Sequence, residues 1–262
     1  MKIGVLVKRV PDSTTKIKLK GDGSGIETSG IRYIVNPYDE YAIEAALQMV
    51  KQVKGEVVIF SFGPKKTDEA IRAALAMGAD RAVRIDDSGI EGTDSYGVGR
   101  LLAAAVKAEG IELLLAGKQA IDDDAAQVPQ IVAELLDWPQ ATVVDKIELG
   151  DGSLTVNRRV SGGAREVIEI SLPAVISAEK GLNTPRFATL PNIMKAKRKP
   201  LAVKTADDLG VPPAELGASG ALVKITGYRP PPERKAGRII EGELPAALGE
   251  LVRLLHEEAK VI

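Results

Sequence analysis

The sequence predicts an α/β protein: a parallel sheet with helices on both faces, extended by an antiparallel β segment and a C-terminal arm. Three observations predict it. Over residues 1–136, short β-branched runs alternate with stretches of helical period, as in parallel strands joined by crossover helices. After residue 140, strand-like runs are separated only by Gly-rich turns, which suits antiparallel neighbours. From residue 205 the periodicity fades into Gly-, Ala- and Pro-rich chain that ends in an amphipathic helix.

In order along the chain, residues 3–10 are a buried strand, residues 11–30 a polar hairpin or excursion, and residues 31–35 a second strand. Asn36 caps the next helix, Pro37 sits in its first turn, and Asp39 is placed to reach back as a capping-box acid. Ile43, Ala46, Leu47 and Val50 form its apolar face. Residues 56–62 are a strand, Thr67 starts a helix closed by Gly78, and residues 81–85 are a strand. Residues 94–109 follow as a helix, residues 113–117 as a short buried strand, and residues 128–136 as one more helix. Residues 141–149, 154–160 and 167–172 read as antiparallel strands, and residues 173–178 return as a further strand. In the last helix, residues 244–258, Leu248, Leu251, Val252 and Leu255 share one face, which suits packing on a neighbour.

Composition excludes several chemistries. The chain of 262 residues has no cysteine, so thiolate catalysis, disulfides, zinc–thiolate sites and cysteine-ligated iron–sulfur clusters are out. Its single histidine, His256, rules out a two-histidine metal site and reads as a surface residue. We expect no metal site and no catalytic side chain. A net charge of -1 lacks the positive field of a general nucleic-acid binder. No apolar run approaches the ~20 residues that span a bilayer, and the N-terminus turns polar too soon for a secretory signal. The expected location is the cytoplasm.

Residues 113–130 carry the strongest local signal. A strand runs into Gly117, Lys118, Gln119, Ala120, Ile121, Asp122, Asp123, Asp124, Ala125, Ala126 and Gln127, and a helix follows from Val128. A loop leaving the carboxyl end of a parallel strand and entering a helix N-terminus is where such sheets bind phosphates. Three aspartates complicate that, because carboxylates repel a phosphate; they must cap amides while pointing away, or hold a cation. The loop is neither a Walker loop nor a GxGxxG fingerprint. Ser161-Gly162-Gly163 reads as a plain turn. Residues 181–195 combine turn formers with Phe187, Leu190, Ile193 and Met194, an apolar patch rimmed by Lys195, Lys197, Arg198 and Lys199 that suits an acidic protein partner.

Several of these segments together resemble one family. Lys8-Arg9-Val10, Asn36-Pro37-Tyr38, the run 73–81, Gly117-Lys118-Gln119-Ala120-Ile121-Asp122-Asp123-Asp124, Leu136-Asp137-Trp138-Pro139-Gln140 and the run 189–197 resemble the β subunit of electron transfer flavoprotein. The likeness runs in order over residues 1–200, includes the stretch 156–177, and weakens beyond Leu201. It implies a Rossmann-like domain of the adenine-nucleotide-binding type over residues 1–200, with a partner-recognition loop at 180–199. Residues 201–262 would form an extended arm and a helix packing on an α subunit. It implies a heterodimer in which AMP is buried in the β chain. In the resemblance the FAD would be shared and held mainly by the α subunit. The resemblance further implies that electrons pass from acyl-CoA dehydrogenases or similar flavin dehydrogenases to a quinone oxidoreductase of the membrane. Implied nucleotide contacts fall on Leu6, Asn36, Pro37, Tyr38, Asp39, Phe62 and every residue from Gly117 to Val128; Tyr38 matches an aromatic near the flavin. Implied partner contacts fall on Phe187, Leu190, Pro191, Ile193, Met194 and Lys195, with Leu190 as the anchor.

Two departures bear on the branch. Ala126-Gln127-Val128 offers fewer side-chain donors than AMP-binding relatives and is closer to the electron-bifurcating branch, whose β site holds a second FAD and which oxidises NADH. The three aspartates and Leu190-Pro191-Asn192-Ile193-Met194 favour the AMP branch. Arg159 stands where relatives can carry a glutamate that helps hold the flavin domain. A stand-alone protein that binds or hydrolyses an adenine nucleotide is the other class of reading, motivated by the Gly117 loop alone.

Overall fold

Lys2 and the buried run from Ile3 to Leu6 form β1 (Lys2–Leu6), the strand around which the sheet is arranged. The computed structural model describes residues 1–232 and 236–262. These divide into two units: residues 1–17 with 28–226, and residues 18–27 with 227–262. In the last part of the chain the division falls at 226–227. Residues 233–235 of the expected arm lie outside the described residues.

In the first unit, α1 (Pro37–Gln52) leads to β4 (Glu56–Phe62), α2 (Asp68–Met77) to β5 (Arg81–Ile85), and α3 (Ser95–Ala108) to β6 (Leu113–Gly117). Then α4 (Val128–Leu136) precedes a meander of β7 (Gln140–Leu149), β8 (Ser153–Arg159) and β9 (Arg165–Ser171). After it come β10 (Ala174–Ala178), the short helix α5 (Leu190–Ala196), β11 (Leu201–Lys204) and a single turn, α6 (Gly217–Gly220). The sheet order is β11-β5-β4-β1-β6-β10-β7-β8-β9. Pairings from β11 to β7 are parallel, and β7-β8-β9 are antiparallel.

Alternation within the parallel strands builds one core on each face, as expected of a sheet covered on both sides. Ile3, Val5, Val57, Ile59, Leu113, Leu115 and Ile176 pack with Ile43 and Ala46 of α1 and Ile71 and Ala74 of α2. Val58, Phe60, Val83, Ile85, Leu114 and Val175 pack with Leu101 and Val106 of α3 and Val132 of α4.

Three expectations are corrected. Residues 3–10 are not one strand: the chain leaves the sheet after Leu6, and β2 (Arg9–Pro11) pairs with β3 (Tyr33–Val35) in a separate two-stranded sheet. Residues 201–204 are not arm but edge strand, in parallel register with Ala82 to Ile85. Lys199 is not part of the basic rim. Its ammonium turns inward and donates to the carbonyls of Leu75, Gly78 and Ala79, because the end of α2 leaves carbonyls without intrahelical partners.

In the second unit, Leu19 and Ile26 form an isolated antiparallel bridge. The helix α7 (Leu244–Arg253) widens into one further turn, Leu254–Glu258. Arg253 pairs with Glu250 and Glu257 along its polar side, while Leu244, Leu248, Leu251 and Val252 are exposed.

Candidate functional site

The chain runs from β1 outward through β4 and β5, then crosses by α3 to β6 on the other side of β1. At such a switch point the carboxyl ends of neighbouring strands diverge and a crevice opens. Here it is a cavity of about 300 Å³, near the lower limit of the ~300–1,000 Å³ common for small-molecule sites. Leu6, Phe60, Phe62, Ala116, Val98, Leu102, Val128 and Pro129 give it apolar walls. Lys8, Asn36, Ser61, Asp39, Thr93, Asp94, Ser95, Gln119, Asp123 and Gln127 add the polar lining.

Asp39 and Asn36 hold this end of the sheet together. The Asp39 carboxylate accepts from the amide of Lys8 (2.7 Å), from Asn36 Nδ2 (2.8 Å) and from the amide of Gly117 (3.2 Å). It thereby joins the ends of β1 and β6 to the start of α1. Burial pushes its carboxyl up to about 7, and those three donated hydrogen bonds oppose the rise. The expected capping box is corrected accordingly. Neither Asn36 nor Asp39 caps α1 through its side chain, because both are engaged with neighbouring elements. Asn36 Nδ2 donates to Gln119 O (2.9 Å) and its Oδ1 accepts from Ile121 N (3.2 Å), which pins the loop after β6.

The loop itself presents backbone. Asp124 and Ala126 both take φ of 50°, and Gln127 returns to a right-handed conformation (φ -114°, ψ -38°). A left-handed residue followed by a right-handed one turns successive amides into a concavity that accepts anions. Among the described residues, the amides of Ala126, Gln127 and Val128 meet no protein acceptor. They stand at the N-terminus of α4, where the helix dipole adds positive potential. The aspartates are occupied elsewhere. Lys8 Nζ donates to Asp122 Oδ1 and Asp123 Oδ2, both at 2.8 Å, Asp123 Oδ1 accepts from Ala125 N at 3.1 Å, and Asp124 Oδ1 accepts from Gln119 Nε2 at 2.6 Å.

Comparison with known proteins identifies the family. The electron transfer flavoprotein domain matches residues 24–209. The electron transfer flavoprotein subunit beta of Bradyrhizobium diazoefficiens is 41% identical over 263 residues, covering 100% of both chains. The chain belongs to the electron transfer flavoprotein β-subunit family. The Mus musculus member is 42% identical over 256 residues (95% of this chain, 97% of its own), and the Homo sapiens member 40% over 259 residues (97% and 99%). Among the described residues, no helix is long and apolar enough to cross a membrane.

Within this family member, the cavity gathers Leu6, Asn36, Asp39, Phe62, Gly117, Gln119, Ala120, Asp123, Ala125, Ala126, Gln127 and Val128 from the residues marked in the sequence. Pro37, Tyr38, Lys118, Ile121, Asp122 and Asp124 do not line it. Lys118 instead pairs with Glu179 at 2.7 Å and lies 5.0 Å from the Tyr38 ring centre. With Val143, Arg158, Arg159, Val160 and Ser161 it lines a second, polar cavity of about 520 Å³. Sequence reading missed Lys8, Ser61, Thr93, Asp94 and Ser95. The signal for the last three was available: they open α3 at the carboxyl side of a parallel strand, as the Gly117 loop opens α4.

The segment 181–199 is more ordered than its turn formers suggest. Thr189 and Pro191 start α5, whose one buried residue is Ala196. Phe187 is 96% exposed and Leu190 73%; Ile193, Met194, Pro191 and Lys195 are exposed beside them. The segment is fastened at both ends. Arg186 Nε and Nη2 donate to the Glu44 carboxylate of α1 at 2.6 and 2.8 Å, and Arg72 Nη1 donates to Ala196 O and Lys199 O, both at 2.7 Å.

Proposed function

We propose that this chain is the non-catalytic β subunit of a heterodimeric electron transfer flavoprotein, and that the cavity at the switch point binds AMP. The observation that carries the AMP assignment is the cavity itself. It pairs apolar walls fit for a purine with a nest of amides that meet no protein acceptor at the start of α4, in a volume of about 300 Å³. A mononucleotide suits that volume. The bare amides of Ala126, Gln127 and Val128 replace the side-chain donors that this stretch lacks.

The redox chemistry of the complex is that of an FAD shared with an α subunit and held mainly by it, which accepts and releases electrons. The residues of this chain bind and orient. Tyr38 of α1 and Lys118 just after β6, whose ammonium lies 5.0 Å from the Tyr38 ring centre, are the side chains we place nearest that flavin. Phe187 and Leu190 dock a flavin dehydrogenase of the acyl-CoA type, Pro191, Ile193, Met194 and Lys195 surrounding them. Electrons then pass to a quinone oxidoreductase. The exposed apolar face of α7 packs on the α subunit, and the complex works in the cytoplasm.

The deciding experiment is nucleotide analysis of heterodimer purified with its α chain and then denatured. One FAD and one AMP per heterodimer are expected. Two FAD with NADH-dependent activity would move the chain to the bifurcating branch. ATP turnover by the isolated chain would support the stand-alone nucleotide protein instead.

A further inference from the structure

We propose that Lys8 is a positioning residue that makes the acidic loop after β6 compatible with a nucleotide phosphate, by drawing the Asp122 and Asp123 carboxylates onto its ammonium. The inference rests on the reading of the cavity as an AMP site. It answers the difficulty posed by the sequence, in which three consecutive aspartates precede an anion-binding helix N-terminus.

Lys8 is the second residue beyond β1, and its backbone is fixed by the amide's hydrogen bond to Asp39 Oδ2 at 2.7 Å. From that anchored position its Nζ reaches Asp122 Oδ1 and Asp123 Oδ2 equally, at 2.8 Å each. Burial works against its charge, but the hydrogen bonds and charges of the two aspartates outweigh that and raise its pKa. The loop is therefore held twice: Asn36 pins its backbone at Gln119 and Ile121, and Lys8 fixes its side chains. All three partners of the ion triad retain solvent contact, with side-chain exposures of 44%, 26% and 49%. Pairs so exposed contribute little to folding stability. Their effect is felt by a second anion. With Lys8 present, a phosphate at the amides of Ala126, Gln127 and Val128 meets a loop carrying Asp124 as its one carboxylate outside the triad, and that group accepts from Gln119. Without Lys8, two further unmatched negative charges stand on the same loop.

The test uses the heterodimer with Lys8→Met, Asp122→Asn/Asp123→Asn and the triple variant, reading affinity for AMP and for adenosine by competition. Lys8→Met is expected to weaken AMP about tenfold, or about 1.4 kcal/mol, and to leave adenosine within about twofold. The triple variant is expected to regain most of the AMP affinity, because no carboxylates remain to be neutralised. Unchanged AMP affinity in Lys8→Met overturns the proposal. So does a loss that the triple variant fails to restore, since Lys8 would then act on the phosphate directly. Equal losses of AMP and adenosine also overturn it, as they would mark collapse of the loop. If Lys8→Met fails to assemble, the double aspartate variant still decides: AMP affinity at or above wild type supports the proposal, and a loss overturns it. A wild-type heterodimer that carries no adenylate refutes the reading of the cavity itself, and is told apart by that absence.

Discussion

A side-chain carbon at Gly117 would lie 2.7 Å from Tyr38 Cβ and 2.8 Å from the Tyr38 carbonyl carbon, and closer still to Asp39 Oδ1. The constraint is steric rather than conformational, since the residue's neighbours are the backbone and carboxylate at the start of α1. Gly117→Ala must push β6 and α1 apart or break the hydrogen bond from the Gly117 amide to Asp39. We expect a loss of about 1–3 kcal/mol, typical of overpacking, read from the denaturant midpoint. The purified heterodimer should carry correspondingly less adenylate. Asp39 is the counterpart of this glycine, and its role was illegible in the sequence. Its partners Lys8 and Gly117 lie 31 and 78 residues away, so a local reading could see only a helix-capping acid.

At the scale of elements, the exposed segment that carries α5 depends on what α1 offers it. Glu44 is buried on that helix, and burial raises its pKa; the hydrogen bonds from Arg186 and Gln48 and the Arg186 charge outweigh this and leave it below the ordinary glutamate value. A group depressed in the folded state contributes stability above its unfolded pKa and loses it as pH falls through the folded one. Glu44→Gln should therefore cost about 1–3 kcal/mol near pH 7. Melting curves should show the gap to wild type closing as pH falls below about 4. A docking defect is separable from that stability defect. Leu190→Ala removes an exposed side chain, so the fold and flavin content should persist while electron uptake from the dehydrogenase slows about tenfold, a loss in the range of interface anchors. Equal uptake rates would show that Leu190 is no anchor. The helical form of α5 was legible only in part: Thr189 and Pro191 signal a start, but seven residues with one buried position give no period.

Across the whole molecule, the parallel half was legible because each strand and helix declares its own period, and both faces of the sheet are buried. Strand β11 was not, because four residues at an edge are strand only by virtue of pairing with β5, over a hundred residues earlier. The site was legible where it follows from local grammar, as in the strand, glycine and helix around Gly117. It was hidden where α3 and Lys8 enter the cavity from elsewhere. Composition also reads differently at this scale. A chain without cysteine offers no thiol redox chemistry, and under the function proposed above none is required of it, because the flavin would supply that chemistry.

The sheet order has one further effect. β10 lies between β6 and β7, yet the chain makes it after β7, β8 and β9. On the ribosome, residues 140–171 therefore emerge before the strand that will join them to the rest. The meander can pair locally in that interval. Meanwhile β6 and β7 each keep an open edge of unpaired backbone groups, and the residues of β6, all buried in the finished sheet, are apolar. Until the five residues of β10 arrive and cover both edges, the nascent chain is at its most exposed to aggregation.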